Sequence, residues 1–297
     1  MSNMPLVSVV IPCYNHERYV QECIQSVIDQ TYQNIELIII DDGSRDHSVE
    51  KINQLIEKCK NRFVRFEFRY RENKGLSKTL NEAIDWCRGK YFCAIASDDK
   101  MLPYKTELQV QFLETHTDVV AVFGGINQID DDSQVVRTIY PKSHYYVFDE
   151  IARFEHTLPA PTQMLRLDAL RKIGKYHPEI RLEDWYSYLK LTQDGSTIAV
   201  IGDIICDYRR HEKNTSKNMN LMMEKIDIIK LVTKDYDKYL GDIYLSISSD
   251  AAAFDKKKSF GYLVQSVLKE PKIIFRKRFP IVLIKNILPY GFMKENR

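Results

Sequence analysis

The 297-residue sequence lacks the signatures of several common protein classes. Its six cysteines form no CxxC pair and no zinc-like spacing with the seven histidines, so a zinc site is not expected. Neither GxxxxGK[ST] nor GxGxxG occurs, which removes the main support for an ATPase or a dinucleotide-binding enzyme. The net charge of +2 gives no reason to expect a nucleic acid as partner.

Long apolar runs are also missing. No stretch reaches the roughly 18 apolar residues that a membrane-spanning helix requires. The N-terminal segment has no basic region ahead of its apolar run, which breaks at Pro12, so it does not resemble a signal peptide. Four cysteines fall on predicted strands or helix faces, where a free thiol acts as a small core residue. We therefore expect a protein that stays in the reducing cytoplasm.

The first half of the chain alternates between strand and helix patterns. The β-branched runs VSVVIP and LIII are each followed by a segment with apolar residues at helical spacing, ERYVQECIQSVIDQ and SVEKINQLIEKC. This alternation predicts an α/β fold with a mostly parallel central sheet flanked by helices. Helical patterns prevail from Met219 onward, which predicts a helical C-terminal appendage.

Two predicted buried strands end in paired carboxylates, Asp41–Asp42 and Asp98–Asp99. Either pair alone is most simply explained as a capped turn. Ligands of such sheets bind beyond the carboxyl ends of the strands, where both pairs fall. Like charges brought together cost free energy unless a cation or hydrogen-bond donors lie between them. A magnesium or manganese ion with a nucleoside diphosphate would supply both.

Other acidic and basic segments are ambiguous by themselves. The three acids of IDDDSQVV are typical of a hairpin turn. Glu183 and Asp184 begin the predicted helix LEDWYSYLKLTQDG, where acids favour the helix dipole. The next residue, Trp185, could stack on a sugar ring or anchor the core. The segment YRRHEKNTS is typical of a solvated basic loop.

Taken together, these segments resemble the family 2 inverting glycosyltransferases, which have the GT-A fold. The motifs follow the family's order through VSVVIPCYNHERYVQECIQSVIDQTYQNIELIIIDDGSRDHS, ENKGLSKTLNEAI, ASDDK, LEDWYSYLKL and YRRHEKNTS, over roughly residues 5 to 216. The resemblance implies a glycosyltransferase domain over residues 1–216, followed by a helical, basic C-terminal region over residues 217–297.

The resemblance also implies roles for individual residues. The nucleotide-sugar site would comprise Pro12, Tyr14, Asn15, Asp42, Asn73, Gly75, Asp98 and Arg209. Asp99 and His211 would ligate Mn²⁺ or Mg²⁺, Asp184 would be the general base, and Glu183 and Trp185 would lie on the acceptor side. In this chain Ala96 stands where many members carry a further acid, so metal binding would depend chiefly on Asp99.

The function implied is inverting transfer of a hexose, glucose or galactose, from a UDP-sugar. The acceptor would be GlcNAc or GalNAc on undecaprenyl diphosphate, and the product a β-linkage in O-antigen or a related surface polysaccharide. Two alternatives stay open. One is a protein or teichoic-acid glycosyltransferase, and the other is a non-catalytic nucleotide-sugar-binding subunit.

The C-terminal tail differs in charge from the rest of the chain. From Lys269 to the end, eight Lys and Arg residues face two acids, so the tail carries +6 and the remainder −4. Basic residues are mixed there with Ile, Phe, Val and Leu, a composition that favours an anionic membrane surface. This predicts a peripheral protein at the inner face of the cell membrane. The alternative is that the tail packs on the body or on a dimer partner.

Overall fold

The computed structural model describes residues 4–210 and 219–288. Within these ranges ten strands form one sheet. The strands are β1 (Val7–Cys13), β2 (Ile35–Asp41), β3 (Arg65–Tyr70), β4 (Tyr91–Ala94), β5 (Lys100–Met101), β6 (Val119–Ile129), β7 (Val135–Ile139), β8 (His144–Tyr146), β9 (Met164–Arg166) and β10 (Thr197–Arg209).

Helices flank the strands in the order that the sequence predicts. They are α1 (Val20–Ile28), α2 (Ser48–Asn53), α3 (Ile56–Arg62), α4 (Leu76–Trp86), α5 (Lys105–Thr115), α6 (Phe148–Ala152), α7 (Leu167–Lys172), α8 (Glu183–Thr192), α9 (Met219–Val232), α10 (Leu240–Ala251), α11 (Lys256–Lys269) and α12 (Arg278–Ile287). One prediction was wrong in detail, because the segment SVEKINQLIEKC forms two short helices, α2 and α3, and not a single one.

The sheet has a parallel half and a mixed half. Its strand order is β3-β2-β1-β4-β9-β6-β10-β5, with β7 paired to β6 and β8 to β10. Strands β3, β2, β1 and β4 run parallel, whereas β9 pairs antiparallel with both of its neighbours. Every residue of β2 is buried, as expected for a parallel strand covered on both faces. The predicted α/β fold with flanking helices is therefore confirmed.

Contacts divide the described chain into two units. The first comprises residues 4–148, 157–179 and 183–210 and contains the whole sheet; the second comprises residues 149–156, 180–182 and 219–288. Two short segments from the middle of the sequence therefore group with the C-terminal helices. The predicted domain boundary after residue 216 lies outside the described residues and stays a prediction.

The second unit has its own small core. Leu245 of α10, Leu263 of α11, Ile273 and Val282 of α12 are buried together, and Phe279 packs against them. This core fixes which face of α12 points inward. None of the helices in the described part of the chain has both the length and the apolar character that crossing a membrane requires.

Candidate active site

The loops that follow β1 and β2 are joined to each other. The main-chain N–H of Asn15 donates to Ser44 Oγ at 2.8 Å, and Asn15 Oδ1 accepts from the N–H of Arg45 at 2.8 Å. Asn15 has a φ of 54°, in the left-handed region that asparagine tolerates better than most residues. The N–H of Asp42 also donates to the carbonyl of Cys13 at 2.8 Å. The two loops therefore form one rigid edge.

Asp41 closes the turn at the end of β2. Its carboxylate accepts from the N–H of Ser44 at 2.8 Å and from the hydroxyl of Ser44 at 2.6 Å. Gly43 follows with a φ of 80°, and a Cβ there would lie 2.7 Å from the main-chain nitrogen of Asn73. Only glycine fits this close approach of the two chains. Asp41 is thus a structural residue of the turn.

Asp42 organises the segment that follows β3. Its carboxylate accepts from the guanidinium of Arg71 and from the N–H groups of Lys74 and Gly75, at 2.8 and 2.9 Å. The Asn73 side chain donates to the Asp42 carbonyl at 2.8 Å. The structure thus brings together Asp42, Asn73 and Gly75, three residues predicted to bind the nucleotide sugar. Both Asp42 oxygens already have protein donors, so an incoming base would share them.

Pro12 and Tyr14, two further residues predicted for this site, lie on the same edge. Pro12 is half-buried at the end of β1, and Tyr14 is 45% exposed. An exposed aromatic ring beside a rigid loop is available for stacking on a planar ligand. The prediction that these two residues line the nucleotide pocket is not tested by their placement and stays a prediction.

The second acidic pair follows β4 and is buried. Asp98 is 8% exposed and Asp99 only 2%. Burial, followed by the negative charge of Asp98, raises the pKa of Asp99 well above its usual range. Asp99 Oδ1 accepts from the main-chain N–H of Arg209 at 2.8 Å. His16 lies close by, with Nδ1 2.8 Å from Ser97 Oγ and 3.7 Å from Asp98 Oδ1.

Arg209, at the end of β10, has a fully buried side chain. Its Nε donates to the carbonyl of Asp98 at 2.9 Å, and Nη1 donates to the carbonyl of Asp130 at 2.7 Å. Its Nη2 donates to Ser133 Oγ at 2.9 Å and to Glu22 Oε2 at 3.1 Å. The guanidinium is therefore directed at protein acceptors. In this arrangement Arg209 positions the acidic pair, and the predicted phosphate contact would require it to leave this network.

The acids of IDDDSQVV form the predicted hairpin turn between β6 and β7. The N–H of Ser133 donates to the carbonyl of Asp130 at 3.1 Å and closes the turn. Asp131 is exposed and accepts from the hydroxyl of Tyr19 at 2.7 Å. The prediction of a turn is confirmed. The same turn also supplies the main-chain carbonyls that hold Arg209, which the sequence does not indicate.

The carboxylates around Asp99 provide hard oxygen donors of the kind that Mg²⁺ or Mn²⁺ prefers. Asp98 and Asp207 both act to raise the pKa of Asp99, so a divalent cation would relieve an electrostatic cost that is present in the fold. No group of three His, Cys, Asp or Glu side chains suited to a metal occurs within residues 4–210 and 219–288. His211, the other predicted ligand, lies outside the described residues. An ion at Asp99 would therefore need further ligands from outside the described residues.

The predicted base lies at the start of α8. Asp184 is half-buried, and its carboxylate accepts from the N–H of Trp185 at 2.6 Å. Burial raises the pKa values of two phenols, Tyr176 and Tyr188, well above the usual range, and the charges of Glu183 and Asp184 act on both in the same direction. Trp185 is 4% exposed, so its placement matches the core-anchor alternative and offers no face for a sugar ring.

Two residues of this site are absent from the sequence-based prediction. Arg71 bonds Asp42, and His16 lies between Ser97 and Asp98. Arg71 directly follows β3, and His16 follows β1 by three residues. The rule that ligand sites lie beyond the carboxyl ends of parallel strands could have found both.

Comparisons with known proteins bear on this geometry. The family model described as Glycosyl transferase family 2 matches residues 8–174. An uncharacterized glycosyltransferase from Haemophilus influenzae is 38% identical over 233 residues, which cover 74% of this chain and 70% of that protein. An uncharacterized glycosyltransferase from Rickettsia typhi is 28% identical over 301 residues, covering 96% of this chain and 90% of that protein.

Solved structures support the same fold. S. aureus TarS residues 1–349, in complex with UDP-GlcNAc, matches with a TM-score of 0.65 at 17% identity, over 98% of this chain and 90% of that one. The mannosyltransferase PcManGT from Pyrobaculum calidifontis, in complex with GDP-Man and Mn²⁺, matches with a TM-score of 0.61 at 13% identity, over 99% and 89% of the chains. The sheet, its acidic edge and these comparisons agree, and the chain belongs to glycosyl transferase family 2.

Proposed function

We propose that the protein is an inverting, metal-dependent glycosyltransferase that takes a hexose from a UDP-sugar. The observation that carries the proposal is the pair of buried carboxylates, Asp98 and Asp99, beside the loop that is built around Asp42. Burying two adjacent acids costs stability, and a bound cation would offset that cost.

The donor is proposed from the site and from the fold neighbours. TarS is described with UDP and with UDP-GlcNAc, and PcManGT with GDP-Man and Mn²⁺. In this chain, Asp42, Asn73 and Gly75 would hold the nucleoside, and Asp98 would meet the ribose. Asp99, with His211, would hold Mn²⁺ or Mg²⁺, which when bound neutralises charge on the leaving diphosphate.

Asp184 is the proposed general base. Its carboxylate would take the proton of the acceptor hydroxyl while that oxygen forms a bond to the anomeric carbon. The bond from that carbon to the nucleoside diphosphate breaks on the opposite face, so the configuration inverts. The half-buried position of Asp184 suits this role, because it is shielded in part from water and still reachable by a substrate.

The acceptor is proposed as a sugar, GlcNAc or GalNAc, carried on undecaprenyl diphosphate. Glucose or galactose would be added in β-linkage, as a step in building O-antigen or a related surface polysaccharide. The support for this part is the sequence resemblance to enzymes of that type. An acceptor of this kind would be met at the inner face of the membrane.

The donor and metal are tested by thermal unfolding with UDP, GDP or dTDP, each with and without Mn²⁺. UDP with Mn²⁺ is expected to stabilise the protein, by about 2.7 kcal/mol at 100 times the dissociation constant. The Asp99→Ala variant is expected to lose the contribution of Mn²⁺. Absence of any shift with all three nucleotides would contradict the proposal.

The base is tested by Asp184→Asn. Turnover is expected to fall by about 10²–10⁴-fold, because proton abstraction by a positioned side chain contributes that much. UDP binding is expected to stay at the wild-type level. The matched control is Asp168→Asn, which removes an exposed acid from the first turn of α7 and tests the helix-dipole explanation. Equal activity of the two variants would show that Asp184 is not the base.

A further inference from the structure

The segment 271–288, called here the C-terminal basic segment, is unusual in composition. It contains five Lys and Arg residues and no Asp or Glu. Not all of this charge is available to a partner. Arg276 pairs with Glu155 at 3.0 Å, and Arg278 donates to the carbonyl of Phe154 at 2.7 Å. The exposed cations are Lys272 and Lys277.

The same segment exposes large apolar side chains. Phe275 is 83% exposed and lies in the sequence between the two exposed lysines. On α12, Ile281, Ile284 and Ile287 are 56%, 51% and 72% exposed. Their spacing of three residues places them on one side of the helix. Large apolar side chains exposed together on one side of a helix are typical of an interaction site.

Exposure of this face is a consequence of how α12 packs. Val282 is buried in the core of the second unit, and Phe279 and Leu283 pack against that core. In this ten-residue helix one apolar side packs against the core, and folding does not require a second apolar side. The outward isoleucines therefore call for a partner outside the unit.

The positive charge of the C-terminal basic segment favours an anionic lipid surface over a second copy of the chain as its partner. A second copy placed on this surface by two-fold symmetry would put Lys272 and Lys277 of both chains into one interface, and the segment has no Asp or Glu to neutralise them. Anionic lipid headgroups would neutralise these lysines, and the boundary between headgroups and acyl chains would receive Phe275 and the isoleucines.

We propose that the C-terminal basic segment lies on an anionic lipid surface, with Phe275, Ile281, Ile284 and Ile287 inserted at the acyl boundary. The biological role of this binding rests on the proposed function, since a lipid-linked acceptor would be presented at such a surface. The binding itself follows from the segment alone, so it can be tested without any acceptor.

The test is co-sedimentation of the full chain with phosphatidylcholine vesicles that contain or lack phosphatidylglycerol, at low and high salt. Wild type is expected to bind only the phosphatidylglycerol vesicles, and less at high salt. Lys272→Glu/Lys277→Glu is expected to weaken binding by at least about 30-fold, since each basic residue near the surface contributes slightly more than about fivefold. Lys142→Glu/Lys234→Glu makes the same charge change at two exposed lysines elsewhere and is expected to bind as wild type.

The apolar contribution is tested by Phe275→Ser/Ile287→Ser, which is expected to weaken binding at least about tenfold. Its control is Val64→Ser/Val136→Ser, at valines that are 61% and 62% exposed in the sheet unit. Binding equally weakened in the control variants, or absent in wild type, would overturn the proposal. A second outcome would also overturn the proposal. In it, light scattering shows that wild type is a dimer that does not bind vesicles, and Phe275→Ser/Ile287→Ser dissociates this dimer.

UDP binding is measured in parallel, without vesicles. If vesicle binding fails while UDP with Mn²⁺ still stabilises the chain, only the surface proposal is wrong. If UDP has no effect while the vesicle results are as expected, the proposed donor is wrong and the lipid surface stands.

Discussion

The two acidic pairs, Asp41–Asp42 and Asp98–Asp99, lie at the ends of β2 and β4, the strands on either side of β1. In the first pair each carboxylate is surrounded by donors from its own chain, including Ser44 for Asp41. In the second pair the two carboxylates are buried side by side, and the pKa of Asp99 is raised well above its usual range.

The same Asp-Asp dipeptide therefore occurs in two different environments in this fold. The first pair completes its hydrogen bonds on folding and builds the loops that a ligand would approach. In the second pair Asp99 accepts from the N–H of Arg209, yet burial and the charge of Asp98 still raise its pKa well above the usual range. The donors around each carboxylate therefore decide how far the cost of its burial is compensated within the fold.

The largest effect on the free energy of unfolding is expected from removing the Asp42 carboxylate of the first pair. Asp42→Ala removes the acceptor for Arg71 and for two main-chain N–H groups, and is expected to lower the free energy of unfolding by about 3–5 kcal/mol. Urea denaturation measures this loss. Asp132→Ala, at an exposed acid in the β6–β7 turn, is the control and is expected to change stability by less than about 0.5 kcal/mol. Equal losses in the two variants would mean that Asp42 does not organise its loop.

The buried imidazole of His156 extends the comparison to a basic group. Burial lowers the pKa of His156 from 6.5 to about 4, and the positive charges of Arg278 and Lys225 act in the same direction. The unfolded chain therefore takes up this proton first as pH falls. The free energy of unfolding is expected to decrease between about pH 6.5 and 4, by at most about 3 kcal/mol, and to be unaffected by His156 above that range.

The pH dependence of His156 is measured as a difference between wild type and His156→Gln across that range. The variant is expected to have a flatter stability curve. His47→Gln, at a largely exposed histidine, serves as the control and is expected to follow wild type. A wild-type slope in His156→Gln would assign the pH dependence to other groups.

A change in the second pair is expected to have the opposite sign from Asp42→Ala. Asp99→Asn keeps an acceptor for the N–H of Arg209 and removes the charge beside Asp98. Without metal, the free energy of unfolding is expected to rise by about 1 kcal/mol, while the contribution of Mn²⁺ to stabilisation by UDP is lost. Unfolding in the presence of a chelator measures the first effect. A loss of stability as large as that of Asp42→Ala would mean that the two pairs do not differ.

The smallest expected effect concerns the half-exposed partner of Arg209. Glu22→Gln is expected to lower the free energy of unfolding by less than about 1 kcal/mol, because main-chain carbonyls continue to hold the guanidinium. Thermal unfolding measures it, together with UDP binding. A loss above about 3 kcal/mol would make Glu22 the main counter-charge of a buried cation.

Regular periodicity allowed much of the fold to be predicted. Helix α1 buries Val20, Cys23, Ile24 and Val27 at the spacing that the sequence shows, and β2 is buried throughout. Strand β5 has only two residues, Lys100 and Met101, which carry no periodicity of their own. Short strands of this kind depend on partners that are distant in sequence.

Site residues that follow strand ends could be predicted from the sequence. Site residues whose positions depend on partners distant in the sequence could not. Asp42, Asp98 and Asp99 lie at the predicted edge because the carboxyl ends of parallel strands meet there. The burial of Arg209 could not be predicted, since its ion pair with Glu22 spans 187 residues. The burial of Trp185 likewise depends on tertiary packing, which the sequence of α8 leaves open.

The separation between Asp99 and Arg209 has a consequence for the newly made chain. The main-chain donor that holds Asp99 comes 110 residues after it. At typical rates of synthesis those residues take roughly 5–20 s to add. During that interval the ribosome has already produced Asp98 and Asp99 but has not yet produced Arg209, so the hydrogen bond that holds Asp99 forms only when β10 joins the sheet.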